Sequence, residues 1–183
     1  MAAILMVLEF PVPFAPSFYG LDFSELPALI GAFAYGPVAG VMIEFCKILI
    51  KLVLKPSSTA FVGELANFSI SCMLVLPASV IYLFKKSRKQ AILGTVVGTL
   101  IMTAFGSCFN AIYLLPKFSE LYGIPLDAII GMGTAINPAI HSISGLVLMC
   151  VVPLNLLKGG LVSLITILVY KKLSPILKAA HKQ

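Results

Sequence analysis

The sequence predicts an all-α integral membrane protein with six transmembrane helices, both termini cytoplasmic and a ligand pocket that faces outward. Three observations predict it. Of the 183 residues, 60% are hydrophobic and only 11% are charged, where about 25% of an average soluble chain is charged. The apolar residues fall into long runs separated by short polar or Gly/Pro-punctuated connections. The charges are sorted by sign between alternate connections. With a mean hydropathy of +1.05, the chain has the bilayer as its solvent, and residues 1–183 read as a single transmembrane substrate-binding domain.

The first run ends near Phe10. Met1 to Phe10 is too short to span alone, which predicts a helix that begins before Met1. It lacks the basic n-region and cleavage site of a secretory signal. The second run, about Ser24 to Tyr35, is short. Asp22 and Glu25 precede it with the spacing of a capping box, in which each acid satisfies amides at a helix start, and Pro27 is tolerated in the first turn. "YGPVAG" (Tyr35–Gly40) is a tight turn. The third run is about Pro37 to Leu54, and "KPSSTAFVG" (Lys55–Gly63) is a polar loop. The fourth is about Glu64 to Phe84, with a kink expected at Pro77. The fifth is about Gln90 to Leu115 and the sixth about Leu154 to Tyr170. Between them, Pro116 to Pro153 reads as a long connection containing a re-entrant or surface-lying cap.

The net charge of +6 does not indicate nucleic acid. Lys85, Lys86, Arg88 and Lys89 crowd one turn, and Lys171, Lys172, Lys178 and Lys182 follow the last run. Under the positive-inside rule both clusters are cytoplasmic. All seven acids (Glu9, Asp22, Glu25, Glu44, Glu64, Glu120 and Asp127) then fall on the outer side or in outer halves of spans. Cys46, Cys72, Cys108 and Cys150 sit in apolar runs without metal-ligand spacing, and His141 is far from His181.

Polar groups inside a membrane need partners or a task. Glu44, Lys47 and Lys51 share one face of the third helix, which predicts an internal Glu44–Lys47 pair. Glu64 and Asn67 stand one turn apart, and Glu64 suits a helix N-terminus. Asn110 and Tyr113 lie near the outer end of the fifth helix, and Asn155 and Lys158 near that of the sixth. Together they describe an outward pocket with apolar walls and few polar fixers. Gly94 and Gly98 form a GxxxG expected to pack within the chain. Gly31, Ala32, Gly36, Ala39 and Gly40 suggest a partner surface on the N-terminal helices. No phosphate loop, HExxH or GxSxG is present. "HSISG" (His141–Gly145) lacks triad geometry, and no internal repeat stands out.

"FPVPFAPSFYGLDFSELPALIGAFAYGPVAG", "STAFVGELANF", "GTAINPAI" and "VPLNLLKG" together resemble the riboflavin-specific substrate-binding subunit, or S component, of energy-coupling factor (ECF) vitamin transporters, from Phe10 to about Lys172. The resemblance implies six helices in a bacterial plasma membrane that capture riboflavin from outside. It implies as partners a transmembrane scaffold subunit and two cytoplasmic ATPases, and a toppling motion that carries the pocket inward. It implies no catalytic residue, metal or cofactor, with riboflavin as transported ligand. Asn155 and Lys158 match its "PxNLLKG", and Asn110 matches an Asn near the end of the fifth helix. Tyr19 to Asp22, including Leu21, and Glu64 to Asn67 are expected lining, with Tyr113 beside Asn110. Phe14, Phe18, Tyr19, Phe61 and Tyr113 could stack on the flavin ring. The first helix, "MAAILMVL", departs from the small-xxx-small docking pattern of many S components. Two alternatives stay open: an S component for another vitamin such as thiamine or a folate, and a stand-alone membrane channel or enzyme.

Overall fold

The computed structural model describes residues 1–7, 10–16, 19–57 and 59–179. Glu9, Phe18, His181 and Lys182 lie outside the described residues, as do the side chains of Lys171, Lys172 and Lys178. The order is α1 (Ala2–Val7), β1 (Phe10–Pro11), β2 (Gly20–Leu21), α2 (Glu25–Tyr35), α3 (Pro37–Leu54), α4 (Val62–Phe84) and α5 (Arg88–Phe109). A π-turn (Asn110–Leu114) joins α5 to α6 (Leu115–Tyr122). Then come α7 (Leu126–Thr134), α8 (Ile143–Leu146), a second π-turn (Val147–Val151) and α9 (Val152–Ala179). β1 and β2 form a small antiparallel ribbon, Phe10 opposite Leu21 and Pro11 opposite Gly20, an addition to the all-helical expectation.

Among the described residues, three continuous helical stretches are long and apolar enough to cross a membrane: Val62–Phe84, Arg88–Tyr122 and Ile143–Val169. α3 has 18 residues but carries Glu44, Lys47 and Lys51 within them. α2 is a shorter apolar helix of 11 residues.

Local chemistry sets several boundaries. Gly36, at φ +98°, donates its N–H to the Ala32 carbonyl and ends α2, and Pro37 opens α3, where its missing N–H is harmless. The Thr59 hydroxyl accepts from Gly63 N–H (3.0 Å) at the start of α4. Ser87 caps α5 by accepting from Gln90 N–H. The basic turn Lys85–Lys89 between them has its charged side chains exposed.

The expected break between the fifth and sixth spans is corrected. Pro116 and Pro153 do not end helices. A proline ring clashes with the carbonyl four residues earlier, here Ile112 and Met149. Each lies in the middle of a π-turn, whose i→i+5 bonding makes room. The bonds are Leu115 N–H to the Asn110 carbonyl and Val152 N–H to the Val147 carbonyl. Both helices therefore run on, and the connection shrinks to residues 123–142, holding α7. Gly123, at φ +62°, closes α6.

The capping box is corrected too. Ser24, not Asp22, precedes α2, and its side chain makes no cap bond. Asp22 Oδ1 accepts from Ser24 N–H at 2.8 Å, while Glu25 turns inward with no exposure.

α4 and α5 pack closely at the GxxxG. A Cβ at Gly94 would lie 2.5 Å from the Ala78 carbonyl oxygen, and one at Gly98 would lie 2.6 Å from that of Leu74. Gly31 and Gly40 likewise pack inside the chain, against Ile43 and against Ala32 and Val75, so they do not form a free surface. One apolar cluster centres on Leu29, Phe33, Leu74 and Tyr82. A second, around Leu114, Ile140, Leu146 and Val151, surrounds one end of the bundle. Between α5 and α9, Thr95, Thr99 and Thr103 are buried. Thr99 and Thr103 donate to carbonyls four residues back, which settles their hydroxyls within the helix.

Candidate functional site

The second cluster encloses a cavity of ≈ 340 Å³. Its walls come from the β2 segment, the end of α3, the start of α4, the α5–α6 helix and α9. The drifting register of an α-helix would not keep one face on it for long, because residues four apart diverge by about 40° per step. The π-turn rotates the chain back, so that Asn110, Leu114, Phe118 and Tyr122 all reach the cavity. The second π-turn, which ends at Val151, does the same ahead of Leu154, Asn155 and Lys158.

Six predicted residues meet here: Tyr19, Glu64, Asn67, Asn110, Asn155 and Lys158. Two do not. Leu21 is packed in the apolar cluster, because the β-ribbon alternates sides and turns Gly20 and Asp22 toward the cavity instead. Tyr113 lies off the face that holds Asn110 and packs against Phe109, 5.1 Å between rings. Of the other expected aromatics, Phe14 packs against the cluster and Phe61 is 63% exposed. The sequence reading does not include Phe118 and Tyr122, because in a regular helix residues at four-residue spacing drift off the face of Asn110. It also missed Lys51, Lys55, Thr59 and Ser71 in the lining.

The polar groups divide into two kinds. Some are already tied. Tyr19 donates to Asn110 Oδ1 at 2.8 Å, and Asn110 Nδ2 donates to the Gly106 carbonyl at 2.7 Å. Burial holds the Tyr19 phenol far above the usual tyrosine range, so it stays a donor. Glu64 pairs with Lys51 and accepts from Ser57 (2.8 Å) and Thr59 (2.9 Å). Lys158 Nζ sits 3.0 Å from Asp22 Oδ2 and 2.8 Å from Glu25 Oε1, and Glu25 Oε1 also accepts from the Ser71 hydroxyl at 2.7 Å. Others are open: among the described residues, Asn67 Oδ1 and Asn155 Nδ2 are buried with no hydrogen-bond partner. Asn67 and Asn155 line the cavity, but these two atoms are turned into the packing, with Asn155 Nδ2 directed at Gly106 on α5.

Residues 1–170 match the family described as "ECF transporter, substrate-specific component". The chain belongs to the ECF transporter S components. It is 33% identical over 177 residues to the riboflavin transporter RibU of Staphylococcus aureus (strain TCH60), covering 97% of this chain and 86% of the relative. It is 31% identical to the riboflavin transporter FmnP of Bacillus subtilis (strain 168), over 95% of this chain and 86% of the relative. A solved structure reported as the S component of a bacterial ECF transporter superposes with a TM-score of 0.72 at 35% identity, covering 97% of this chain and 90% of that one. An S component is a multi-pass membrane transport subunit and not an enzyme. ATP hydrolysis belongs to partner subunits, which accounts for the absent phosphate loop.

Proposed function

We propose that this S component captures riboflavin at the outer face of a bacterial plasma membrane. It then delivers the vitamin inward together with an ECF scaffold subunit and two ATPases. The observation that carries the reading is the cavity. Its size falls in the range of roughly 300–1,000 Å³ that small-molecule sites occupy, and the polar residues Tyr19, Asn67, Asn110, Asn155 and Lys158 line it among apolar and aromatic side chains. A flat ring bearing carbonyl and N–H edges suits such a place, and a hydroxylated chain suits the Lys51, Thr59 and Glu64 rim. The relatives named as riboflavin transporters support the choice of vitamin. Asn155, Lys158, Asn110, Tyr19, Asn67 and Glu64 are the proposed contacts, within one domain of six membrane segments whose termini are cytoplasmic.

The test is the absorption spectrum of the purified chain and its quenching of flavin fluorescence. Riboflavin should bind stoichiometrically at sub-micromolar concentration, and neither thiamine nor folate should displace it. Displacement by either one would reassign the vitamin.

A further inference from the structure

Next to the cavity, five ionisable side chains from four segments are buried together: Asp22, Glu25 on α2, Glu44 and Lys47 on α3, and Lys158 on α9. Lys47 Nζ lies 2.5 Å from Glu44 Oε2 and 3.7 Å from Glu25 Oε1, and it donates to the Ser24 hydroxyl at 3.0 Å. Lys158 joins Asp22 to Glu25. With every group ionised, three carboxylates face two ammoniums, and the cluster carries one uncompensated negative charge. The neighbouring Lys51–Glu64 pair is balanced and does not alter the sum. An uncompensated charge at this depth is removed by a change of protonation rather than tolerated.

The three carboxylates are not equally provided for. Asp22 accepts from Ser24 N–H and Lys158. Glu25 accepts from Ser71 and touches Lys158 and Lys47. Glu44 has no exposure; among the described residues neither of its oxygens has a hydrogen-bond partner, whereas Glu25 leaves only Oε2 without one, and the one cation beside Glu44, Lys47, is shared with Glu25. The other groups near it do not supply a charge. α1 carries no titratable side chain, and α4 presents Cys72, a neutral thiol. We propose that Glu44 is a protonated carboxylic acid in the folded protein, and that this one proton makes the buried cluster neutral. Lys47 and Lys158 then balance Glu25 and Asp22. The inference does not depend on which vitamin fills the cavity.

Glutamine is the near-isostere of a protonated glutamate, so Glu44→Gln is the decisive variant. Purified full-length chain in lipid nanodiscs should show, by infrared spectroscopy, a carboxylic-acid carbonyl stretch that shifts in D2O and is lost in Glu44→Gln. The variant should fold, bind riboflavin with unchanged affinity and unfold at the wild-type temperature or above. Wild-type Tm should fall as pH rises and the proton is lost, whereas Tm of Glu44→Gln should be flat over the same range. Glu25→Gln, which discards the carboxylate holding Ser71 and Lys158, should be the less stable of the two. Absence of the band from wild type overturns the proposal. So does a Glu44→Gln chain that fails to fold, that keeps the wild-type pH profile, or that is less stable than Glu25→Gln.

Discussion

Tyr19 and Asn110, 91 residues apart in sequence, are joined by a buried 2.8 Å hydrogen bond from the phenol to the amide oxygen. It ties the residue just before β2 to the π-turn on the cavity wall. Because Asn110 Nδ2 is already committed to Gly106, the pair forms one fixed surface rather than two adaptable side chains.

Tyr19→Phe removes the donor and leaves Asn110 Oδ1 buried without one. The cost of such an orphaned acceptor is about 1–3 kcal/mol. Vitamin affinity, read by fluorescence titration, should fall by roughly 5-fold or more, with the fold retained.

Asn155→Ala and Lys158→Ala should separate binding from stability. Asn155 lines the cavity and, among the described residues, its Nδ2 has no hydrogen-bond partner, so its loss should weaken riboflavin by about 1–3 kcal/mol and leave Tm nearly unchanged. Lys158 is the counterion of two buried carboxylates. Its loss should destabilise the protein by about 3–5 kcal/mol, seen as a lower Tm even without vitamin. Equal effects on Tm from both variants would contradict the assignment of roles.

Gly98→Val should fail where Gly131→Ala succeeds. A side chain at Gly98 meets the Leu74 carbonyl oxygen at 2.6 Å, and backbone cannot step aside, so overpacking costs at least about 1–3 kcal/mol. Gly131 has open space around it. Thermal unfolding of the two purified variants makes the comparison.

Tyr122→Ala tests the aromatic wall. If Tyr122 stacks on the ring, its removal should weaken riboflavin by about 0.5–1.5 kcal/mol beyond lost area. It is 48% exposed, so stability should not move. An affinity equal to wild type would take α6 out of the binding surface.

Much of this was legible in the residues. Pro37 and Lys55 bracket α3 as expected, the Glu44–Lys47 pair is present, and six of the eight nominated residues line one cavity. The two misplaced helix ends have a common physical source. Pro116 and Pro153 were read as breakers because a regular α-helix cannot hold a proline ring against the carbonyl four residues back. The chain keeps its helices by widening the turn before each ring, which no hydrophobic period reveals. That mistake hid Phe118 and Tyr122 as well. Asp22 and Glu25 were misread for another reason. Their spacing fits a cap, and only the fold brings Lys158, 136 residues from Asp22, to claim both of them. Leu21 packs in the apolar cluster rather than lining the cavity, set there by the alternation of a two-residue strand too short to read in the sequence.

The two widened turns have a consequence for how such a chain could change its length. Each adds a residue to a helix that otherwise keeps its course. Deleting Ile112 together with its proline's constraint, as Pro116→Ala, would restore a regular helix. The wall beyond it, Phe118 and Tyr122 included, would keep its place, because the extra residue is absorbed within the one turn. A single codon lost at either turn, together with its proline's constraint, therefore leaves the lining intact. In sequence comparisons, a one-residue gap four positions ahead of either proline would mark a relative that has the same wall without the widened turn.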